Sequence, residues 1–313
     1  MALGNAIGIG IPMVNLGLGG GAAPVEERFI ISVKTDNTGT SNDDQFTLPW
    51  IGSYDVEWGD GLTSYAQTDT TTHTYAAAGT YDVSVTPTNN CRIFFNGGGD
   101  RQKLLDVKNW GTGVWSSFSG AFTGCSRMDV TATDIPNLSI VTTLGNIFRN
   151  CLIMVGNSSF ENWDTSNVTN ISGSFRAAKL FNQNISSWNA SSFTTMANTF
   201  FDADSFNQRI GVWDTSNITT FNNTFRSNLS TFNRSLANWD ITSLTIGSNM
   251  FNSSALGTTQ YDATLIGWAA QSITNAVSID FGISQYTLGG SAEAARNTLV
   301  NTYGWTITDG GGI

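Results

Sequence analysis

The chain has 313 residues, of which 24 are acidic and 14 basic, for a formal net charge of −10, and only 12% are charged against 40% apolar. A chain of this length can bury the cores of two or three domains without a cofactor or a disulfide framework. The acidity and the absence of any run of Lys and Arg argue against nucleic acid as a partner and against an anionic membrane surface, while 33 glycines and a polar remainder rich in Asn, Ser and Thr suit turn-rich β-proteins displayed outside a cell or on a virion.

Cysteines stand at positions 91, 125 and 151. The odd number and the lack of a C-x-x-C spacing exclude a disulfide-dense scaffold and a metal or redox motif, so no cofactor and no metal are expected. No stretch reaches about 18 apolar residues, so no membrane insertion is expected.

Residues 1–27 are apolar and rich in glycine. Small residues near position 23 give them a superficial likeness to a signal peptide. They lack a basic start, however, and Gly and Pro interrupt the apolar run. The expected reading is mature sequence that serves as an anchor, ordering on contact with other proteins of a virion. The stretch Leu3 to Pro12 resembles the openings of tailed-phage virion proteins.

Residues 28–90 alternate with period two between turn clusters, as in Phe29 to Val33, Phe46 to Pro49 and Thr80 to Val85, which predicts a small immunoglobulin-like β-sandwich. Trp58 is expected to plug its core, Gly59-Asp60-Gly61 to form a tight turn, and Tyr75, Tyr81, Val83 and Val85 to point inward. His73 is the only histidine of the chain. A catalytic base or metal ligand needs a nucleophile or further ligands beside it, and none is suggested. The expected role is a strand residue bonded to the turn at Asp60. The segments Tyr54 to Gly61 and His73 to Val85 resemble the W-G-D-G and H-x-Y-x-x-x-G-x-Y-x-V-x-V signatures of PKD-like domains, carried here by Trp58, Gly59, Asp60, Gly61, His73 and Tyr75.

Residues 91–255 are periodic. Phe122, Phe148, Phe175, Phe200, Phe225 and Phe251 are 26, 27, 25, 25 and 26 residues apart. Apolar residues stand seven before each and four before each, save for Gly247, and these offsets predict a short helix or 3₁₀ turn in every period. A second series is Trp163, Trp188, Trp213 and Trp239, whose last three members follow F-N-x-x-[IL] segments beginning at Phe181, Phe206 and Phe232, which read as the strand of each period. Units this small bury a face only by stacking, so a solenoid is expected. Core is favoured for both aromatic series over a carbohydrate-stacking surface. Asp164, Asp214 and Asp240 follow their tryptophans one to a period, which suits turn chemistry better than a calcium site. Cys125 and Cys151 occupy equivalent places in adjacent periods, close enough for a disulfide, with two buried thiols the favoured reading. The units Ala121 to Cys125, Asp134 to Thr142 and Phe206 to Phe225 resemble the BspA-like leucine-rich-repeat surface proteins in their Asn- and Phe-rich 25-residue variant. Departures are Asn189, where the repeat carries Asp, and residues 153–162, which lack the F-N-x-x-I segment.

The period ends after Asn252, and residues 256–313 read as a helix, strand, helix, strand module that caps the last apolar rung. The expected fold is therefore mainly β with short helices: a sandwich, a leucine-rich-repeat-like solenoid and a C-terminal α/β cap. The expected function is non-enzymatic. The leading expectation is a phage virion surface protein, present in several copies, anchored through residues 1–27 and touching a host cell-surface protein or polysaccharide through its repeats. The alternatives are a secreted bacterial cell-surface adhesin and, lacking any recognisable acid pair, a glycan-degrading enzyme.

Overall fold

The computed structural model describes residues 27–227 and 231–313, so all but the last residue of the expected anchor, 1–27, lies outside the described residues. The described residues are mainly β, with two α-helices and several open sheets among them. Its first part holds strands Phe29–Lys34 (β1), Gln45–Leu48 (β2), Trp50–Ile51 (β3), Ser53–Glu57 (β4), Thr63–Thr68 (β5), Thr71–Thr74 (β6), Thr80–Pro87 (β7), Arg92–Ile93 (β8), Leu104–Asn109 (β9) and Asp129–Val130 (β10). A six-stranded sheet has the order β10-β9-β1-β7-β4-β5, and β2 pairs with β6 and β3 with β8. Period-two alternation puts Phe29, Ile31, Val33, Val83 and Val85 on the buried face of the large sheet, with Phe46, Leu48 and Trp50 supplied by the small pairs.

The sheet does not stop at residue 90. Strand β9 pairs antiparallel with β1, and β10 adds to β9 in parallel. The core is likewise continuous: Trp115, seven residues before the first Phe of the series, meets Phe29 at 5.0 Å edge-on and Trp50 at 5.6 Å between ring centroids. A buried polar knot reinforces the junction. Asp100 accepts hydrogen bonds from Thr40 N–H (2.8 Å), Ser41 N–H (3.0 Å), the Ser41 hydroxyl (2.6 Å) and Thr47 N–H (2.7 Å). The fully buried Lys103 ammonium donates to the carbonyls of Ser41, Asn42 and Gln45 and to the Ser41 hydroxyl, as a buried charge must be satisfied.

From residue 114 the chain advances in coils, joined by parallel bridges Thr143↔Asn170, Asn170↔Thr195, Thr195↔Thr220 and Thr220↔Ile246. The Phe series is a buried column, each ring at most 2% exposed, with successive centroids 5.7, 5.9, 5.8, 5.7 and 5.0 Å apart. Phe181, Phe206 and Phe232 form a second column at 6.2 Å spacing, each stacked on the first-column Phe of its own coil at 3.9 to 4.2 Å.

The local conformation departs from a helix and a strand in two places. Of the short helix or 3₁₀ turn expected in every period, successive turns are what forms. In the coil of Phe148, Leu144, Asn146, Phe148 and Asn150 donate their N–H groups to Asn170, Ser172, Ser174 and Arg176 of the next coil, while Ile147 and Cys151 bond back to Leu144 and Phe148. Alternate N–H groups can point along the stack because left-handed residues interrupt helix formation at fixed places. Two residues before each column Phe stand Gly120, Asn146, Gly173, Asn198, Asn223 and Asn249, all with φ between 54° and 67°, the region that Gly and Asn tolerate best. The second difference is that F-N-x-x-[IL] segments form no ladder. They run without regular pairing and close in a tight turn, a 3₁₀ helix at Ile210–Val212. The irregular period at residues 153–162 closes likewise, in a 3₁₀ helix at Ser158–Asn162 whose Phe160 takes the place of the missing segment, 5.3 Å from Phe181.

The C-terminal module follows the predicted order, as helix Thr258–Ala269 (α1), strand Ser278–Asp280 (β11), helix Ser291–Asn301 (α2) and strand Thr306–Thr308 (β12), with β11 parallel to β12. The period does not end at Asn252, however. Phe281 stacks on Phe251 at 5.9 Å and 17°, so the column gains a further rung, displaced in sequence because α1 is inserted between the two. Gly247 is explained by the same rung. A β-carbon there would meet Ile279 Cγ1 at 2.8 Å, so the side chain missing from one coil is supplied by the next.

Two stability measurements test this architecture. Phe200→Ala, in mid-column, is expected to cost about 3 to 5 kcal/mol in urea denaturation, and Asn198→Val, forced to φ 58°, roughly 1 to 2 kcal/mol, with Asn198→Gly nearly neutral. A neutral valine would mean that the turns do not need the left-handed residue. At Asp100, burial pushes the carboxyl up, but the Ser41 hydroxyl and the N–H groups of Ser41, Thr47 and Thr40 outweigh it and hold the carboxyl below its ordinary value. A depressed folded pKa stabilises above the unfolded value, near 4, and that contribution is lost as the pH falls through the folded value. Asp100→Asn is therefore expected to destabilise by about 2 to 3 kcal/mol at pH 7, with the gap from the parent protein narrowing below about pH 4. A gap of constant size down to pH 2 would contradict the assignment.

Candidate binding surface

The PKD-like signature residues come together around the β4–β5 turn. Gly59 and Gly61 have φ of 86° and 90°, Trp58 N–H donates to Leu62 O at 3.0 Å, and Asp60 Oδ1 accepts from Leu62 N–H. His73, reaching over from β6, lies flat on the Trp58 indole at 4.7 Å and 7°, with Tyr75 edge-on at 4.5 Å. Its Nε2 is 2.8 Å from Asp60 Oδ2. The buried Tyr75 hydroxyl donates to Trp58 O at 3.1 Å, and burial raises its pKa well above the ordinary value. Burial pushes the Asp60 carboxyl up, yet the bonds from His73 and Leu62 leave it below the usual carboxylate range. His73 Nε2, the Asp60 carboxylate and the Tyr75 hydroxyl are each engaged by a neighbour, so the constellation ties a turn to a strand.

The aromatic columns are equally occupied. Trp163, Trp188, Trp213 and Trp239 are at most 3% exposed, so they offer no face for a sugar. The first three stack at 6.1 and 6.4 Å. Trp188, Trp213 and Trp239 each donate from Nε1 to a carbonyl of the preceding coil, that of Phe160, Ile185 and Ile210. Trp268 of α1 repeats the bond to Leu236 O at 2.8 Å and is thus the next member of the series, hidden from sequence reading by the helix around it. Cys91, Cys125 and Cys151 are buried free thiols. Burial pushes the Cys91 thiol up to about 12 and that of Cys125 well above its ordinary value, with Cys151 adding to the effect.

What the stack exposes is polar and in register. Thr169, Thr194, Thr219 and Thr245 stand in a solvent-facing file, each hydroxyl donating to the carbonyl of the preceding coil at 3.0 to 3.2 Å. Asp164, Asp214 and Asp240 accept from the N–H two residues on, at 2.9 to 3.1 Å. Hydrogen bonds from Ser166 and Ser216 hold the first two below the usual carboxylate range. No cluster of three or more His, Cys, Asp or Glu fit to hold a metal occurs among the described residues, and no helix among them is long and apolar enough to cross a membrane.

Two features are not legible along the sequence. A recess of about 420 Å³ lies where the last coils meet α1, with Arg209 and Arg234 on its wall and Val212 and Ala263 on its apolar side. Elsewhere, one residue after the column residues Phe148, Phe175, Phe200 and Phe225, stand Arg149, Arg176, Phe201 and Arg226. Their carbonyls accept in turn from Gly124, Asn150, Ala177 and Asp202 N–H, which fixes them as one file across four coils. The arginines are 27 and 50 residues apart, so the sequence shows no basic cluster. Counting positions from the column Phe brings them together.

Compared with known families, residues 26–91 match the model of the PKD domain, and residues 142–268 match a model described as Mycoplasma protein of unknown function, DUF285. No curated protein and no solved structure matches the chain.

Proposed function

We propose that this is a non-enzymatic, surface-exposed protein of the adhesion type, in which a PKD-like domain and a stack of short coils present a regular polar face to a host cell-surface protein or polysaccharide. The observation that carries the reading is the pairing, in one chain, of a PKD match with a match to a repeat family. On the support of the same two matches, the stack is read as a BspA-like leucine-rich-repeat solenoid and its address as a bacterial cell surface. The geometry supports a binding role, since the interior of every coil is filled by aromatic columns while the outward positions repeat in register, the arrangement by which stacked repeats build extended recognition surfaces.

Display on a virion draws nothing from either match, and the segment that suggested it lies outside the described residues. The glycan-degrading alternative needs two carboxylates facing one another across a cleft, whereas Asp164, Asp214 and Asp240 each close their own turn. His73, the obvious base, is held between Trp58 and Asp60.

Antibody raised against the full chain is expected to label intact cells of the source organism, and protease added outside is expected to remove the label. Labelling only after lysis would overturn the proposal.

A further inference from the structure

The file formed by Arg149, Arg176, Phe201 and Arg226 is the feature that construction does not explain. Arg176 stands 4.5 Å from the centre of the Phe201 ring and Arg226 5.4 Å from it, so one phenyl group serves two guanidinium groups on the coils to either side. Arg149 is one coil further along, and its Nε is buried with no hydrogen-bond partner among the described residues. None of the three takes part in an ion pair among the described residues. Burial lowers the pKa of Arg176, and the like charges of Arg149 and Arg226 act in the same direction against Asp202. Three cations thus share one file, one coil and then two coils apart, with the Asp202 carboxylate opposing them at Arg176, on a protein of formal net charge −10.

We propose that this file is a binding site for a linear acidic polysaccharide, one bearing carboxylate or sulfate groups at intervals along the chain, laid along the stacking axis. The inference deepens the adhesion reading and rests on it. Guanidinium groups are planar forks that pair with carboxylate or sulfate oxygens through two bonds, and holding Arg176 and Arg226 against Phe201 reduces the side-chain entropy lost on binding. The spacing discriminates among polyanions. Duplex nucleic acid carries one charge per roughly 1.7 Å, far denser than a file advancing one coil at a time, with column rings 5.7 to 5.9 Å apart over these coils. Single strands bind by stacking bases on open aromatic faces, and those of Phe201 are taken by arginine. Anionic membranes call for clusters of about four to eight basic residues.

The test uses the purified full chain and three immobilised glycans of similar length: a polyuronate, a dextran sulfate and unmodified dextran. Oligothymidylate is the fourth probe. Binding is expected to the polyuronate, the dextran sulfate or both, and to weaken as salt rises, with none to dextran. The first two arms decide between carboxylate and sulfate. Arg149→Gln, Arg176→Gln and Arg226→Gln are each expected to weaken binding by about fivefold, and the triple variant to abolish it. Arg127→Gln, elsewhere on the surface, should leave it unchanged. Arg226 is exposed, so its variant keeps the test valid if replacement of the part-buried Arg149 disturbs folding, which thermal denaturation would reveal. The proposal is overturned if neither charged glycan binds, if the triple variant binds as well as the parent, or if oligothymidylate binds more tightly than both glycans. Glycan binding by a chain that antibodies do not find on intact cells would sink the display reading alone, and a displayed chain that ignores both glycans would sink this one alone.

Discussion

The structure depends on one backbone arrangement: alternate N–H groups around each column Phe point along the stack and bond the next coil, while those between them close turns within their own coil. An α-helix could not do this, because its N–H groups are bonded within the helix itself. A plain parallel strand could not do it in so few residues, because it does not turn back. Left-handed residues two before the Phe, and mostly two after it, give the chain both properties. The backbone therefore sets the rise per coil, and the rings accept it. At 5.7 to 5.9 Å, most of the first-column rings are too far apart for close stacking along the axis, and the close contacts of 3.9 to 4.2 Å are made sideways, with the second Phe of the same coil.

A stack held by such bonds has two open ends, and each is closed in a different way. At the start, β9 and β10 extend the large N-terminal sheet, and Trp115 passes from the first coil into the aromatic cluster of Phe29 and Trp50. That sheet and its aromatic cluster thus form the first cap. At the finish, α1 is inserted into a coil that still contributes Phe281 to the column and Trp268 to the indole series. Where the next rung would need another ring stands Asp309, which accepts from Tyr261 at 2.7 Å and from Arg296 at 2.7 Å. Replacing an aromatic side chain by a satisfied polar one ends the stack, since nothing apolar remains to be covered.

The columns are legible in the sequence because burial leaves a trace at every period, and six phenylalanines at nearly equal spacing are hard to produce except by stacking. The conformation between them is not, because offsets of −7, −4 and 0 suit a helix and a chain of turns alike. The deciding signal lies at Gly120, Asn146, Gly173, Asn198, Asn223 and Asn249, where a helix would not repeatedly place its poor formers. The F-N-x-x-[IL] segments resemble strands for the opposite reason. Their Phe and Ile or Leu are buried as in a strand, but pairing depends on backbone geometry that composition does not express. Phe281 and Trp268 escape the period because an inserted helix changes the count between rungs. In the signature around Trp58 and His73, by contrast, short-range turn chemistry makes both the partner and the role readable.

The arginine file shows how such a fold separates construction from recognition. In the six coils before the inserted helix the column position is phenylalanine, and its neighbour one residue on is Thr123, Arg149, Arg176, Phe201, Arg226 and Asn252. From Arg149 to Arg226 that neighbour lends its carbonyl to the inter-coil bonds, a contribution any residue can make, and its side chain is left to face outward. The side chain can therefore change from coil to coil without altering the pitch or the core. Because the pitch is set by the backbone, a charge at this position is delivered to a fixed place along the axis, and three of them become a row whose spacing a ligand must match. A flexible loop bearing the same arginines would lose conformational entropy on aligning them, whereas here the alignment is a consequence of the hydrogen bonds that hold the stack together.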